Sequence, residues 1–243
     1  MNGRVRVGTA AWKKPNWRGT FYPAGLAQRR ELEFASTELH TLEINSTFHG
    51  DQKPATFASW RDETPDDFVF AVKGSRLVVQ LYRAANAESR IEQFFSTGVH
   101  ELGAKLGPVL WQFPPGVPFA EEPFARFAGA LPAGVRHCVE ARDPSFDTPA
   151  FRRIAAGHGI AVAVTNDPGQ PAFDEVTAGF AYLRLSADAE RYADGYDDAT
   201  LDAWAARIRE WRQRGDVFVY FTHKDDTGAH TPFDAMRLQA RLD

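Results

Sequence analysis

Short apolar runs alternate with longer amphipathic stretches along the whole chain. Runs at residues 4–9, 41–48, 68–73, 108–113, 135–141, 159–164, 180–185 and 216–222 have the length of strands, and most carry polar residues only near their C-terminal ends. In the second run Leu42 and Ile44 point one way and Glu43 and Asn45 the other, as the two-residue period of a strand requires. The stretches between them carry helical spacing. Ile91, Phe94, Phe95, Val99 and Leu102 form one stripe, Phe124, Phe127, Ala128 and Leu131 a second, and Leu201, Trp204, Ala205, Ile208 and Trp211 a third. A helix is also expected over 26–37, and a Pro54-initiated one carries Phe57 and Trp60. Thr148-Pro149 opens another that Gly157 closes, and Thr231-Pro232 starts a last one with Phe233, Met236 and Ala240 inward. After the sixth strand Pro168, Gly169 and Pro171 leave room only for a short or irregular segment around 173–176.

Eight strand-helix units in about 250 residues predict a single closed (β/α)8 TIM-like barrel spanning residues 1–243. An open doubly wound sheet is the rival, but no strand is followed by a glycine-rich dinucleotide turn.

Composition narrows this picture only slightly. With 44% hydrophobic and 25% charged residues the chain is an ordinary globular one, and its formal charge of −4 exerts no global pull on nucleic acid or acidic lipid. Any anion must therefore meet a local basic patch. The single cysteine, Cys138, excludes an internal disulfide, fits a reducing compartment and reads as a small core residue. No apolar run approaches the ~18 residues of a membrane span and no signal-peptide core precedes residue 4, so a cytoplasmic protein with no membrane partner is expected. Nothing in the sequence selects an oligomeric state.

Five segments together carry a family resemblance: Gly8-Thr9-Ala10-Ala11-Trp12, Trp17-Arg18-Gly19-Thr20-Phe21-Tyr22-Pro23, Glu43-Ile44-Asn45-Ser46-Thr47-Phe48, residues 107–115 (GPVLWQFPP) and Glu140-Ala141-Arg142. In this order and spacing they resemble the YecE-like family, domain of unknown function 72. The resemblance runs from Gly8 to about Phe233; it implies a TIM-like barrel and no particular activity. The chain departs from the family's pattern at the rim, at Lys13-Lys14, His49, Ser186 and Thr222-His223.

Active sites of such barrels sit at the C-terminal ends of the strands. Strand alternation puts Glu43, Asn45, Lys73, Gln112, Glu140, Arg142, Arg184, Tyr220 and Thr222 inward if Leu42, Ile44, Val139 and Ala141 face the helices. Barrel interiors are usually filled with Val, Ile and Leu, so two carboxylates, a lysine and two arginines at one mouth predict an acid/base pair with an anion clamp. Glu43, Glu140 and Lys73 are the candidate catalytic residues, Arg142 and Arg184 hold charge, and Asn45 and Gln112 orient a substrate. The bland alternative is an interior ionic layer, such as Glu43 with Lys73 on adjacent strands.

Two loops add to the candidate surface. Residues 12–22 interleave Trp12, Trp17 and other aromatics with Lys13, Lys14 and Arg18, a pattern that stacks sugars or bases while holding phosphates, or that simply plugs the barrel edge. The loop after the eighth strand presents His223, Lys224 and His230 ahead of a helix N-terminus, where backbone amides favour an anion. His223, Asp225 and His230 could instead ligate a metal, but no zinc-type spacing supports it, and no metal or cofactor is expected. The leading expectation is a metal-independent enzyme or binder for a small phosphorylated or otherwise anionic ligand, a class that takes in nucleotides and nucleic acid. A glycoside hydrolase using Glu43 and Glu140, and a non-catalytic ligand-binding barrel, are the alternatives.

Overall fold

The structure, a computed structural model, describes residues 2–187, 192, 194–223 and 229–242. Its strands are β1 (Val5–Thr9), β2 (Thr41–Ile44), β3 (Val69–Lys73), β4 (Leu106–Phe113), β5 (His137–Ala141), β6 (Ala161–Val162), β7 (Val164–Thr165), β8 (Phe180–Ala187) and β9 (Asp216–His223). All pair in parallel, in the order β6-β5-β4-β3-β2-β1-β9-β8-β7. The two ends of this order, β6 and β7, are halves of the expected sixth strand, parted at Ala163, whose N–H donates to the Val139 carbonyl at 2.9 Å. The expected eight-unit barrel therefore stands, nearly closed, with a thin seam. On one side Cys138 and Val139 face Ala161 and Val162; on the other Val164 and Thr165 face Leu183 and Arg184.

The helices are α1 (Glu31–Glu38), α2 (Ser46–His49), α3 (Pro54–Asp62), α4 (Arg76–Gln80), α5 (Ala87–Ser96), α6 (Glu121–Ala130), α7 (Pro149–Gly157), α8 (Asp198–Trp211) and α9 (Thr231–Leu242). Local chemistry sets their starts. The Thr148 hydroxyl accepts from the Phe151 N–H ahead of α7, and the Asp197 carboxylate accepts from the Thr200 N–H at 2.7 Å ahead of α8. Between β7 and β8 the chain is irregular, as its prolines require. None of the helices among the described residues is long and apolar enough to cross a membrane.

Four local expectations need correction. The stripe through Leu102 is not one helix: α5 ends at Ser96, Gly98 adopts φ 109°, and a 3-10 helix runs over Val99–Lys105. β2 stops at Ile44, and Ser46–His49 forms a helical turn instead of extending the strand. On α8 Leu201, Ala205 and Ile208 are buried, while Trp204 is only half-buried beneath the Arg207 guanidinium. On α9 the inward face is Asp234, Ala235 and Leu238, whereas Phe233 and Ala240 are exposed and Met236 is intermediate. Asp234 can face inward because it accepts from the Tyr196 N–H and from Arg237, which satisfies its charge.

Alternation divides each strand as expected. Leu42, Ile44, Val139 and Ala141 join the layer shared with the helices, which also holds Trp111, Phe113 and Phe124. The barrel interior is a separate apolar cluster of Ala71, Leu110, Cys138, Ala161, Ala163, Tyr182 and Tyr220, closed at its base by Phe180 and Phe218. At the base the Arg136 guanidinium lies 5.7 Å from the Phe180 ring centre and pairs with Asp216 at 2.8 Å. Above the tyrosines the interior turns ionic.

Candidate functional site

The ionic level is built by the C-terminal halves of β2, β3, β4, β5 and β8, and Arg184 is its centre. Its Nε and one terminal nitrogen donate to the two oxygens of Glu43 at 3.1 and 2.9 Å, and its other terminal nitrogen donates to Glu140 at 2.6 Å. The Tyr182 hydroxyl, two residues earlier on the same face of β8, donates to Glu43 at 2.7 Å. Glu140 also accepts from Gln112 at 2.9 Å and from the Arg142 Nε at 2.6 Å. Both carboxylates are thus occupied on both oxygens, and both are almost fully buried. The alternative pairing of Glu43 with Lys73 does not occur. A guanidinium offers a planar fork that spans two carboxylates across the barrel, which an ammonium cannot.

This packing fixes the charges. Burial alone would raise the Glu140 carboxyl, but Arg184 and Arg142, helped by the Gln112 amide, outweigh it and hold the group at about 2. Burial likewise opposes the Arg184 charge, yet Glu140 and Glu43 more than compensate and raise its pKa. Burial, followed by the Glu43 charge, pushes the Tyr182 hydroxyl well up, so it remains a donor. A general acid for sugar hydrolysis needs a carboxyl shifted in the opposite direction from Glu140, and Glu43 is sealed beneath Arg184 and Tyr182. The arrangement argues against the glycosidase alternative.

Two cationic groups at the mouth are left with unused donors. The Arg142 side chain is 27% exposed and uses only its Nε on Glu140; among the described residues nothing accepts from its terminal nitrogens. Lys73, the last residue of β3, lies with its Nζ 4.2 Å from the Phe48 ring centre and donates to no described residue. The helical turn that cuts β2 short causes this placement. It swings Phe48 back over β3, and the Thr47 hydroxyl ties it there by donating to the Lys73 carbonyl at 2.6 Å. Burial first, and then the Arg184 charge, draw the Lys73 ammonium from 10.5 down to about 8, with Glu43 and Glu140 pulling the other way.

The remaining candidates separate into near and far. Asn45, beyond the end of β2, donates its amide to the Ala10 carbonyl, and its side-chain oxygen is buried without a partner. It lines a cavity of about 270 Å³ beside the ends of β1 and β2, together with Trp12, Lys13, Gln52 and Trp60. The Trp12 Nε1 is likewise buried and unpaired. Trp17 is not available as a stacking surface: it is fully buried against Phe21 and Tyr22, so the loop aromatics largely plug the barrel edge. Tyr220 sits one level below the ions, 2.9 Å from the Thr41 hydroxyl and away from the mouth. His230 lies exposed just ahead of α9, His223 ends β9, and Lys224 and Asp225 lie outside the described residues. A larger cavity opens at the opposite end, among Arg4, Arg6, His40 and Arg212, away from the strand ends where barrel chemistry is housed. Phe48, Thr47 and Tyr182 were not singled out from sequence. Strand alternation puts Tyr182 on the face of Arg184, but its part as a donor to Glu43 was not assigned from sequence.

Comparison with known proteins agrees with this architecture. A family model described as a protein of unknown function, DUF72, matches residues 6–243. The UPF0759 protein YunF of Bacillus subtilis (strain 168) is 25% identical over 258 residues, covering 90% of this chain and 88% of that protein. The UPF0759 protein YecE of Escherichia coli (strain K12) is 25% identical over 143 residues; the match takes in 58% of this chain, and the chain spans about half the length of that relative (50%). A crystal structure of a DUF72 family protein from Thermotoga maritima MSB8 superposes with a TM-score of 0.82 at 23% identity, covering 98% of this chain and 99% of that one, a likeness of fold.

Proposed function

The chain belongs to the DUF72 family of proteins of unknown function, and from the mouth of its own barrel we propose that it binds and acts on a small anionic molecule, phosphorylated or carboxylated. One observation carries this reading. Among the described residues three cations and two carboxylates share the ionic level, the carboxylates are saturated, and the surplus charge rests on donors of Arg142 and Lys73 that no described residue occupies. An anion entering the mouth would meet a guanidinium fork and an ammonium in a water-poor setting, where charge-assisted hydrogen bonds are strong. Glu140 serves here as the positioning residue that aims Arg142, and the Asn45 and Trp12 polar atoms orient the rest of the ligand. Nucleotides fall within the class, since the adjoining cavity adds Trp12 and Lys13. The lone buried thiol of Cys138 suits a reducing cytoplasm.

Calorimetric titration with a panel of phosphorylated metabolites and nucleotides tests the reading. For a ligand that binds the wild type, Arg142→Lys keeps the charge but loses the fork, and affinity is expected to fall about tenfold or more with the melting temperature nearly unchanged. Unchanged affinity in this variant, or no anionic ligand at all, would remove the support for an anion site at Arg142.

A further inference from the structure

Two lysines of this barrel are equally shielded, each 8% exposed, and they are treated in opposite ways. Lys105 donates to the carbonyls of Arg61 and Thr64 at 2.6 and 2.7 Å and to the Thr64 hydroxyl at 3.2 Å, as a buried ammonium ordinarily must. Among the described residues Lys73 has only the face of Phe48, and the two carboxylates in its neighbourhood are consumed by arginines. An amine held at the C-terminal rim of a barrel strand, backed by an aromatic ring and denied a hydrogen-bond acceptor, is arranged for nucleophilic attack. Resting on the anion reading above, we propose that Lys73 forms an imine with the aldehyde or ketone carbonyl of a substrate whose phosphate or carboxylate lies on the terminal nitrogens of Arg142.

The step balances without a further reactant. The ammonium releases a proton to solvent, and the amine lone pair forms a bond to the carbonyl carbon. The carbonyl oxygen takes up one proton from the nitrogen and the released one back from solvent, the carbon–oxygen bond breaks, water leaves, and the nitrogen ends as a protonated imine. One positive charge is present before and after, so the Phe48 face that accommodates the ammonium also accommodates the product. At about 8, the Lys73 amine is roughly one-tenth free base at neutral pH, several hundredfold more than an unperturbed lysine.

The test traps the imine on the full chain with sodium cyanoborohydride, using pyruvate, dihydroxyacetone phosphate and the uncharged ketone butanone in parallel, and maps adducts by peptide mass spectrometry. Lys73 is expected to be labelled by at least one anionic ketone about tenfold or more faster than Lys13, Lys14 or Lys53, and than by butanone. Preference between pyruvate and dihydroxyacetone phosphate identifies the anionic group. Arg142→Gln is expected to slow the anionic probe to the butanone rate. Equal labelling of all lysines overturns the imine. If calorimetry shows anions binding in that case, the anion site stands alone; if it shows none, both readings fall. Labelling of Lys73 by butanone as fast as by the anionic ketones overturns the anionic substrate class.

Discussion

Arg184→Met is expected to destabilise the barrel by about 3–5 kcal/mol at neutral pH, because it takes the ion-pair partner from buried Glu43 and leaves buried Glu140 with Arg142 alone. The loss should exceed what the missing hydrogen bonds alone would cause, since Arg184 is the group both Glu43 and Glu140 share. The pH dependence separates this cause from a packing defect. In the wild type the folded Glu140 lies at about 2 against an ordinary 4.5, so the unfolded chain binds the proton first as acid is added. The stability this gives is whole above about 4.5 and is lost as the pH falls toward 2. In the variant, burial is no longer opposed by Arg184 and the folded Glu140 carboxyl takes up a proton more readily. Its stability should therefore rise as pH falls from about 8 to about 5, and urea midpoints across that range measure the slope. A variant as stable as the wild type, or one with a flat profile, would mean Glu140 is not held ionised by Arg184.

Lys73→Met should do the reverse and stabilise the protein. Folding draws the Lys73 ammonium from 10.5 to about 8. At about 1.4 kcal/mol per pH unit, the charged form costs on the order of 3 kcal/mol at neutral pH. Methionine keeps the length of the stem and a favourable contact with the Phe48 ring without that cost. Between about 8 and 10.5 the unfolded wild type holds more protons than the folded one, so wild-type stability climbs with pH through this window and the advantage of the variant shrinks. Thermal melts of both proteins at about pH 7 and about pH 10 give the comparison. A variant that melts earlier than the wild type at neutral pH would make Lys73 a structural residue. A chain that keeps an amine at the expense of its own stability has the signature of a residue retained for chemistry.

The inward set at the mouth was legible because strand alternation has a period of two, and it placed Glu43, Lys73, Gln112, Glu140 and Arg184 together without any knowledge of their partners. Who pairs with whom was not legible. Adjacency in the sheet suggested Glu43 with Lys73, but across a barrel interior a long guanidinium on β8 reaches β2 and β5 alike. Asn45 was misplaced because Asn45-Ser46-Thr47 is turn chemistry sitting inside an otherwise apolar run, and the chain obeys the turn. For Trp12 and Trp17 the sequence left stacking and plugging both open because basic residues flank the aromatics; the loop folds both rings inward and leaves Lys13 and Arg18 exposed. The inward face of α9 was missed because it carries Asp234, whose charge is satisfied by Arg237 one turn along the helix and by the Tyr196 N–H far away in sequence.

The seam at Ala163 sets where this ring gives way. Strand six contributes only two-residue ladders on either side of the break, and the ion pair between Glu140 and Arg184 reaches across it from β5 to β8. Local opening in such a ring begins where the fewest backbone bonds must break, so amide protons of residues 161–165 should exchange with solvent ahead of those in β3, β4 and β9. Cys138 faces Ala161 at that same joint, and its thiol is fully enclosed. A single thiol there acts as a latch indicator: a disulfide reagent can reach it only while the joint is parted, and the pace of its reaction counts the openings.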